Sequence, residues 1–420
     1  MKFRKTPVKG TCDILPEEMK LREYVLSMIK ETYKLYGFSQ IETPVMEHIE
    51  NLTGKQGGEN EKLMFQILKR GEELKKAFED RKEELADSGL RYDLTVPLAR
   101  YYANNISKLT MPFKSLQIGN VFRADKPQKG RFRQFMQCDI DILGDNTILA
   151  EIELIAATST MLTNIFKEVG ISEFTVHIND RRLLKAMGAY SGFCEENFDE
   201  VFISLDKIDK LGTDKVKEEL LFKGYPMEKV TKFISIFSNW NKGISCAEYC
   251  SFITKDFVET QVIENIDTII ACVKKMINKD VKLVYNPALV RGMSYYTGTI
   301  FEISITGYNF SIAGGGRYDE MIGKFCGQNM AACGFSIGFE RIITILQDNA
   351  KGNNYKNKKN IAFLIDKSIS SERVIEIFEE ATALRECGNI VLVQPLNKNA
   401  KFQVENLEKD GYKEIRKVLS

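Results

Sequence analysis

The sequence predicts an α+β protein: two strand-rich flanks separated by a long helical block, with a small α/β domain at the C-terminal end. Three observations carry this expectation. Residues 135–142, "FMQCDIDI", alternate strictly between apolar and polar, which is the period of a β-strand. Most of 180–280 has helical apolar spacing, and strand signals return only at "VKLVYNP", "GTIFEISI" and "ACGFSIGFERIITIL". Past the lysine- and asparagine-rich linker at 347–359, "IAFLI", a helix over about 370–386, "NIVLV" and a helix over about 399–409 spell β-α-β-α.

The elements follow in order. "PEEMKLREYVLSMIKETYKLYGF" (16–38) reads as a helix with a proline near its start and Gly37 near its end. "SQIETPVME" reads as a strand in which Pro44 marks an edge or a bend. A glycine-containing loop, "KQGGENEKLMF", precedes a charged helix over about 71–88, and "LRYDLTVPLARYYA" reads as strand into helix. "SLQIGNVFR" and the alternating strand then make a hairpin, whose tip carries Arg123, Lys126, Lys129, Arg131 and Arg133. On the second strand Gln137, Asp139 and Asp141 share one face, with Met136, Cys138, Ile140 and Ile142 on the other. A basic hairpin tip is often only solvated, but acids spaced so regularly on its strand argue for a site. The resulting domains are a first part of the core (1–170), a helical insertion (171–280), a second part of the core (281–346), the linker, and the α/β domain (360–420).

Composition narrows the function classes. A hydrophobic share of 44% and a charged share of 28% are ordinary for a globular chain, and 420 residues leave room for two or three domains. The net charge of +1 carries no global polyanion signal, so any nucleic-acid contact must come from local patches. Nine scattered cysteines without framework spacing read as reduced thiols of a cytoplasmic protein. Cys246 and Cys250 share a helix face but lack histidine neighbours, so no zinc site is expected. No apolar run approaches the roughly 20 residues that a membrane helix needs. With only His48 and His177 present, a histidine-based triad or metal centre is not expected. Chemistry is left to Arg, Asp, Glu, Gln and Tyr, with any metal arriving on the substrate.

Three further stretches carry candidate groups. "LVRGMSYYTGTIFEI" sets Arg291 beside Gly292, then Tyr295 and Tyr296 before an alternating strand. "SIAGGGRYDEMIG" lacks the ending of a P-loop; its glycines permit close backbone approach, to a ligand or to a neighbouring strand. In "CGFSIGFERIITIL", Arg341 falls at a strand-to-helix junction, a place that suits a phosphate, although a structural ion pair is as common there. Together with "RYDLT" and the Arg123–Gln137–Asp141 hairpin, these resemble the histidyl-tRNA synthetases, class II aminoacyl-tRNA synthetases, over essentially the whole chain. "RADKPQKGRFRQF" looks like motif 2 with its loop, and "GFSQIETPVMEHIE" resembles motif 1. "LVRGMSYYTG" is similar to the histidine-specific signature, the more diagnostic of these features.

The resemblance implies a class II antiparallel sheet of six or seven strands flanked by helices, a homodimer built on motif 1, an insertion that helps hold the tRNA acceptor arm, and an anticodon-binding domain from about residue 360. It implies that ATP activates L-histidine to histidyl-adenylate, which then charges tRNA(His). Arg123 would hold the α-phosphate and the substrate carboxylate, Arg291 would approach from the other side, and Arg341 would bind the far end of ATP, with Mg2+ shielding the β- and γ-phosphates. Asp141 and Tyr296 would bind the imidazole, beside Tyr295; Asp93, Thr95 and Gln137 would surround the α-amino group. Lys126, Lys129 and Arg131 would meet the acceptor stem, with Gln128 free for a base edge. Ser294 stands where the family often has an acid, Asp93 and Asp141 stand where some members have Glu, and the C-terminal domain is short. The rival reading is a histidine-sensing regulatory subunit of ATP phosphoribosyltransferase. Such subunits usually lack the C-terminal domain and erode the ATP-facing arginines, which are all present here.

Overall fold

The computed structural model describes residues 3–53, 61–79, 85–128, 130–167, 169–238, 240, 243–253, 256–291, 295–349, 360–366 and 368–419. The chain divides into two compact units, Met1–Ile14 with Lys20–Asn349, and Leu15–Met19 with Ala350–Ser420. The first strands are β1 (Ser39–Ile41), β2 (Met46–His48), β3 (Gln66–Leu68), β4 (Ala86–Leu90), β5 (Phe113–Phe122), β6 (Gln134–Leu143) and β7 (Thr175–Asp180). They continue as β8 (Lys282–Tyr285), β9 (Thr299–Ser304), β10 (Ser311–Arg317), β11 (Ala332–Gly338), β12 (Asn360–Ile365), β13 (Ile390–Pro395) and β14 (Glu414–Val418).

The larger unit is built on an eight-stranded sheet, in the order β1-β5-β6-β11-β10-β9-β7-β8. Its inner ladders are all antiparallel. The edge strands β1 and β8 pair in parallel with β5 and β7 and bring the count above the expected six or seven. The expected hairpin is β5–β6, in register from Phe122↔Gln134 to Phe113↔Leu143, with the cations in the connecting loop. Alternation along β6 buries Cys138, Ile140 and Ile142 on one face. Gln137, Asp139 and Asp141 on the other face are also buried, which a solvated polar face would not be.

The helix Leu149–Lys167 is apolar and long enough to cross a membrane by composition, but 67% of its apolar stretch is buried inside the fold, as in a core helix. It is tied to β10 by a buried pair in which Arg317 Nε and Nη2 donate to the two oxygens of Glu151, each at 2.7 Å. The remaining Arg317 donors reach the carbonyls of Asp145 and Thr147, so this buried charge is fully hydrogen-bonded.

Several expectations differ from the structure. "SQIETPVME" is two strands, β1 and β2, in different sheets, with the break around Pro44. The charged helix ends at Glu79, and Ala86–Leu90 is instead the central strand of a small β2-β4-β3 sheet. Gly89 explains this: a Cβ there would lie 2.8 Å from Leu52 Cδ1 and 2.9 Å from the Phe65 carbonyl, a close approach only glycine allows. The block at 171–280 opens with β7, a strand of the main sheet paired with β9, so its helices begin at Arg181. Six residues of alternation, "TVHIND", are easily lost beside long helical periods, and the helix that follows is capped by Asp180, which accepts from Arg182 N at 2.9 Å.

In the smaller unit β13, β12 and β14 form a parallel sheet. β14 adds a strand beyond the expected β-α-β-α order. Ile361 and Phe363 pack with Ile377 and Ala381 on one side, while Ala362 and Leu364 pack with Leu407 on the other. Burial on both faces is why "IAFLI" reads as an unbroken apolar run.

Candidate active site

A cavity of about 910 Å3 opens over the polar face of β6, β10 and β11. Asp93, Thr95, Arg123, Arg131, Gln137, Asp141, Arg291, Tyr295, Tyr296 and Arg341 all line it. Gln128 does not; its backbone pairs with Arg131 across the loop, N–H to carbonyl at 3.2 and 2.8 Å. Lys129, Gly292 and Ser294 lie outside the described residues.

One end of the cavity is acidic. Tyr318 donates its hydroxyl to Asp141 Oδ1 at 2.5 Å, and its ring stacks on Tyr295 at 5.3 Å between centroids. Asp141 Oδ2 is buried without a partner among the described residues. Room for this carboxylate comes from Gly334, directly opposite in β11, where a Cβ would come within 3.0 Å of Asp141 Cγ. Burial pushes Asp141 up to about 7; the Tyr318 hydrogen bond opposes that rise and the charge of Asp93 adds to it. Asp93 accepts from the N–H groups of Thr95 and Val96 at 3.0 and 3.1 Å, which anchors it at the N-terminus of the helix Thr95–Asn105. Tyr295 and Tyr296 meet edge to face at 4.6 Å, and burial raises both phenols above their ordinary value. Gln137 Nε2 donates to Ser336 Oγ at 2.7 Å, and Ser336 donates to Asp139 at 2.6 Å.

The other end is basic. The Arg123 guanidinium lies over the rings of Tyr92 (4.2 Å) and Phe135 (5.2 Å), with Nε donating to the Tyr92 carbonyl at 3.1 Å. Arg291 Nε donates to Glu302 at 2.6 Å and Nη2 to Ser311 Oγ at 2.8 Å, while Nη1 has no protein partner among the described residues. Arg341 donates to the Ser311 carbonyl and lies over Phe310. Its strand-to-helix junction is held by Glu340, which accepts from Arg22 at 2.6 and 2.8 Å and from Met136 N at 3.1 Å. Burial pulls Arg341 below its ordinary value, and the charges of Arg291, Arg131 and Arg123 add to that, with Glu302 opposing. Arginines clustered in this way suit an anion.

The glycine run admits the neighbouring strands and the side chains of the cavity wall. A Cβ on Gly314 would overlap the Arg291 guanidinium, and one on Gly316 would lie 3.0 Å from Tyr296 Cδ1. Between them, a Cβ on Gly315 would lie 2.8 Å from Phe335 Cα of the neighbouring strand. Sequence reasoning missed Tyr318, Glu302, Ser311 and Ser336. Their signal lies in pairing rather than spacing: Gly314 stands between Glu302 of β9 and Ser336 of β11.

The chain is similar to known proteins of one family. Residues 10–342 match the family described as Histidyl-tRNA synthetase. A relative named Histidine--tRNA ligase, from Leifsonia xyli subsp. xyli, is 42% identical over 81% of this chain and 80% of its own length. The crystal structure of histidyl-tRNA synthetase from Nostoc sp. PCC 7120 superposes with a TM-score of 0.79 at 27% identity, covering 98% of this chain and 90% of that one. A structure titled as an ATP phosphoribosyltransferase regulatory subunit/histidyl-tRNA synthetase, from Bacillus halodurans, gives a TM-score of 0.78 over 100% of both chains. At 22% identity it shows the fold alone.

Proposed function

The chain belongs to the histidyl-tRNA synthetase family, and from that premise we propose how its cavity carries out the family's reaction. Its activity is that of a histidine–tRNA ligase: it activates L-histidine with ATP and transfers the histidyl group to the 3′ end of tRNA(His). The observation that carries the reading is one cavity joining an arginine cluster to a buried carboxylate oxygen that has no partner among the described residues. The first holds polyphosphate; the second waits for a ring N–H.

In the first step a histidine carboxylate oxygen bonds to the α-phosphorus of ATP while the bond to pyrophosphate breaks. The carboxylate is already ionised at neutral pH, so no protein base is needed. Catalysis consists of alignment and charge neutralisation. Arg123, held rigid by its two rings, grips the α-phosphate and the carboxylate. Arg291 presents Nη1 from the opposite wall, and Arg341 takes the far end of the nucleotide. Magnesium would come with ATP and shield the β- and γ-phosphates. Among the described residues no cluster of three metal-ligating side chains stands ready, so phosphate oxygens and water would supply most of its ligands. Asp141 Oδ2 accepts one imidazole N–H and Tyr296 serves the other ring nitrogen. Asp93, Thr95 and Gln137 surround the α-ammonium.

The direct test is histidine-dependent exchange of labelled pyrophosphate into ATP, across the amino acids, followed by charging of tRNA(His). Exchange with histidine alone supports the reading. Histidine binding without exchange would return it to the regulatory-subunit alternative.

The basic loop is proposed to meet the tRNA acceptor stem. Because Arg131 lines the cavity beside Arg341 while Lys126 does not, the loop divides in two. Lys126→Ala with Lys129→Ala is expected to slow charging about tenfold with pyrophosphate exchange intact. Arg131→Ala should impair both. Equal loss of both activities in the lysine variant would remove the assignment.

A homodimer is proposed on motif 1; exposed Val45, Met46 and Leu68 on and beside the small sheet support it, and light scattering tests it. The unit at 360–420 is proposed to bind the anticodon, and 181–276 to hold the acceptor arm. A cytoplasmic setting is proposed, since the nine cysteines have no framework spacing in the sequence.

A further inference from the structure

We infer that Asp139, acting through the hydroxyl of Ser336, sets which atom of the Gln137 amide faces the substrate's α-ammonium group. This makes Asp139 a positioning residue, and it rests on the histidine-binding reading of the cavity given above. Asp139 shares a buried face with Gln137 and Asp141, yet nothing in the reaction uses it directly.

Asp139 and Ser336 are opposed residues of β6 and β11, and Gln137 lies two positions away on the same face. A serine hydroxyl has one proton. Given to an ionised Asp139 at 2.6 Å, it leaves Ser336 only as an acceptor toward Gln137. The amide must then turn its NH2 to Ser336, at 2.7 Å, and its carbonyl away. Gln137 Oε1 is buried there without a partner among the described residues, on a residue of the cavity wall, and such an acceptor costs free energy until a donor arrives. The α-ammonium is that donor.

A carboxylate at position 139 can only accept, which locks this order, whereas a neutral acid or amide can also donate and so lets the chain reverse. In the reversed order the hydrogen of residue 139 goes to Ser336, the serine proton goes to Gln137 Oε1, and the Gln137 amide presents NH2 to an ammonium that can accept nothing. Burial first, and then the charge of Asp141, push the Asp139 carboxyl well above the usual range. The ionised, accept-only form that these hydrogen bonds describe is thus the one that an arriving cation stabilises.

The test is calorimetric binding of L-histidine and of imidazolepropionate, which is histidine without its amino group, to the full chain. In Asp139→Asn, histidine should bind about tenfold more weakly and imidazolepropionate within about twofold of the parent. Ser336→Ala should likewise weaken histidine alone, and Asp139→Asn added to it should cost nothing more. Retained imidazolepropionate binding also reports a folded pocket. Equal weakening of both ligands would make Asp139 merely structural and overturn the inference. A full Asp139→Asn effect in the Ser336→Ala background would make it a direct counter-charge, which also overturns it. A parent protein that binds neither ligand would instead overturn the histidine-binding reading.

Discussion

Arg291→Ala is expected to slow histidine-dependent pyrophosphate exchange by about three orders of magnitude while changing histidine affinity only a few-fold. The asymmetry follows from the geometry. Two nitrogens of this guanidinium are spent on Glu302 and Ser311, which hold the fork against β9 and β10, and Nη1 has no protein partner among the described residues, which leaves it for the proposed contact with the phosphoryl group. Truncation also strands Glu302 in a site meant for phosphates, so the double variant Arg291→Ala with Glu302→Gln should recover part of the loss. Arg291→Lys should not restore the rate, because an ammonium cannot keep both anchors and still present a free donor. Exchange within tenfold of the parent, or an equal loss of histidine binding, would remove Arg291 from the phosphoryl step.

The second large effect falls on Asp141. Asp141→Asn should raise the histidine concentration for half-maximal exchange about a hundredfold and leave the ATP dependence unchanged. An amide can still accept from Tyr318 at Oδ1, but it turns a donor toward the ring N–H that Oδ2 was placed to receive.

The same substitution should stabilise the fold, in a pH-dependent way. Asp141 moves from 3.8 to about 7 on folding, chiefly through burial. Between those values the unfolded chain loses a proton that the native state keeps, so the Asp141 contribution to stability falls as pH rises from about 4 through 7. Above that range the full penalty is present. The gain in Tm of Asp141→Asn over the parent should therefore be near zero at pH 4 and reach a few degrees at pH 8. A constant difference across that range would mean that the carboxyl ionises normally. A side chain that costs stability while ionised, and is needed for binding, is the expected signature of a specificity group.

Much of the catalytic wall was legible because its signals are local. The alternation of 135–142 placed Gln137, Asp139 and Asp141 on one face, and the tyrosine pair and arginines stood out by residue type in short stretches. Short strands were harder to read. Thr175–Asp180 has six residues among helices, and Ala86–Leu90 depends on Gly89 admitting Leu52 and the Phe65 carbonyl, which no window of sequence reveals. Glu414–Val418 has so little alternating burial that only its pairing with Asn360–Ile365 makes it a strand.

The sequence alone therefore determined the kinds of groups in the cavity and the faces they occupy, because periodicity and residue type are properties of neighbours along the chain. Which of those groups are already satisfied was decided only by the tertiary structure. Tyr318 reaches Asp141 across 177 positions, and Ser336 reaches Asp139 across 197. Hydrogen-bond partners so distant are chosen by strand order, and strand order is a property of the whole sheet. Asp141 Oδ2 and Gln137 Oε1 are the proposed recognition atoms because folding hid them from water and left them without a partner among the described residues.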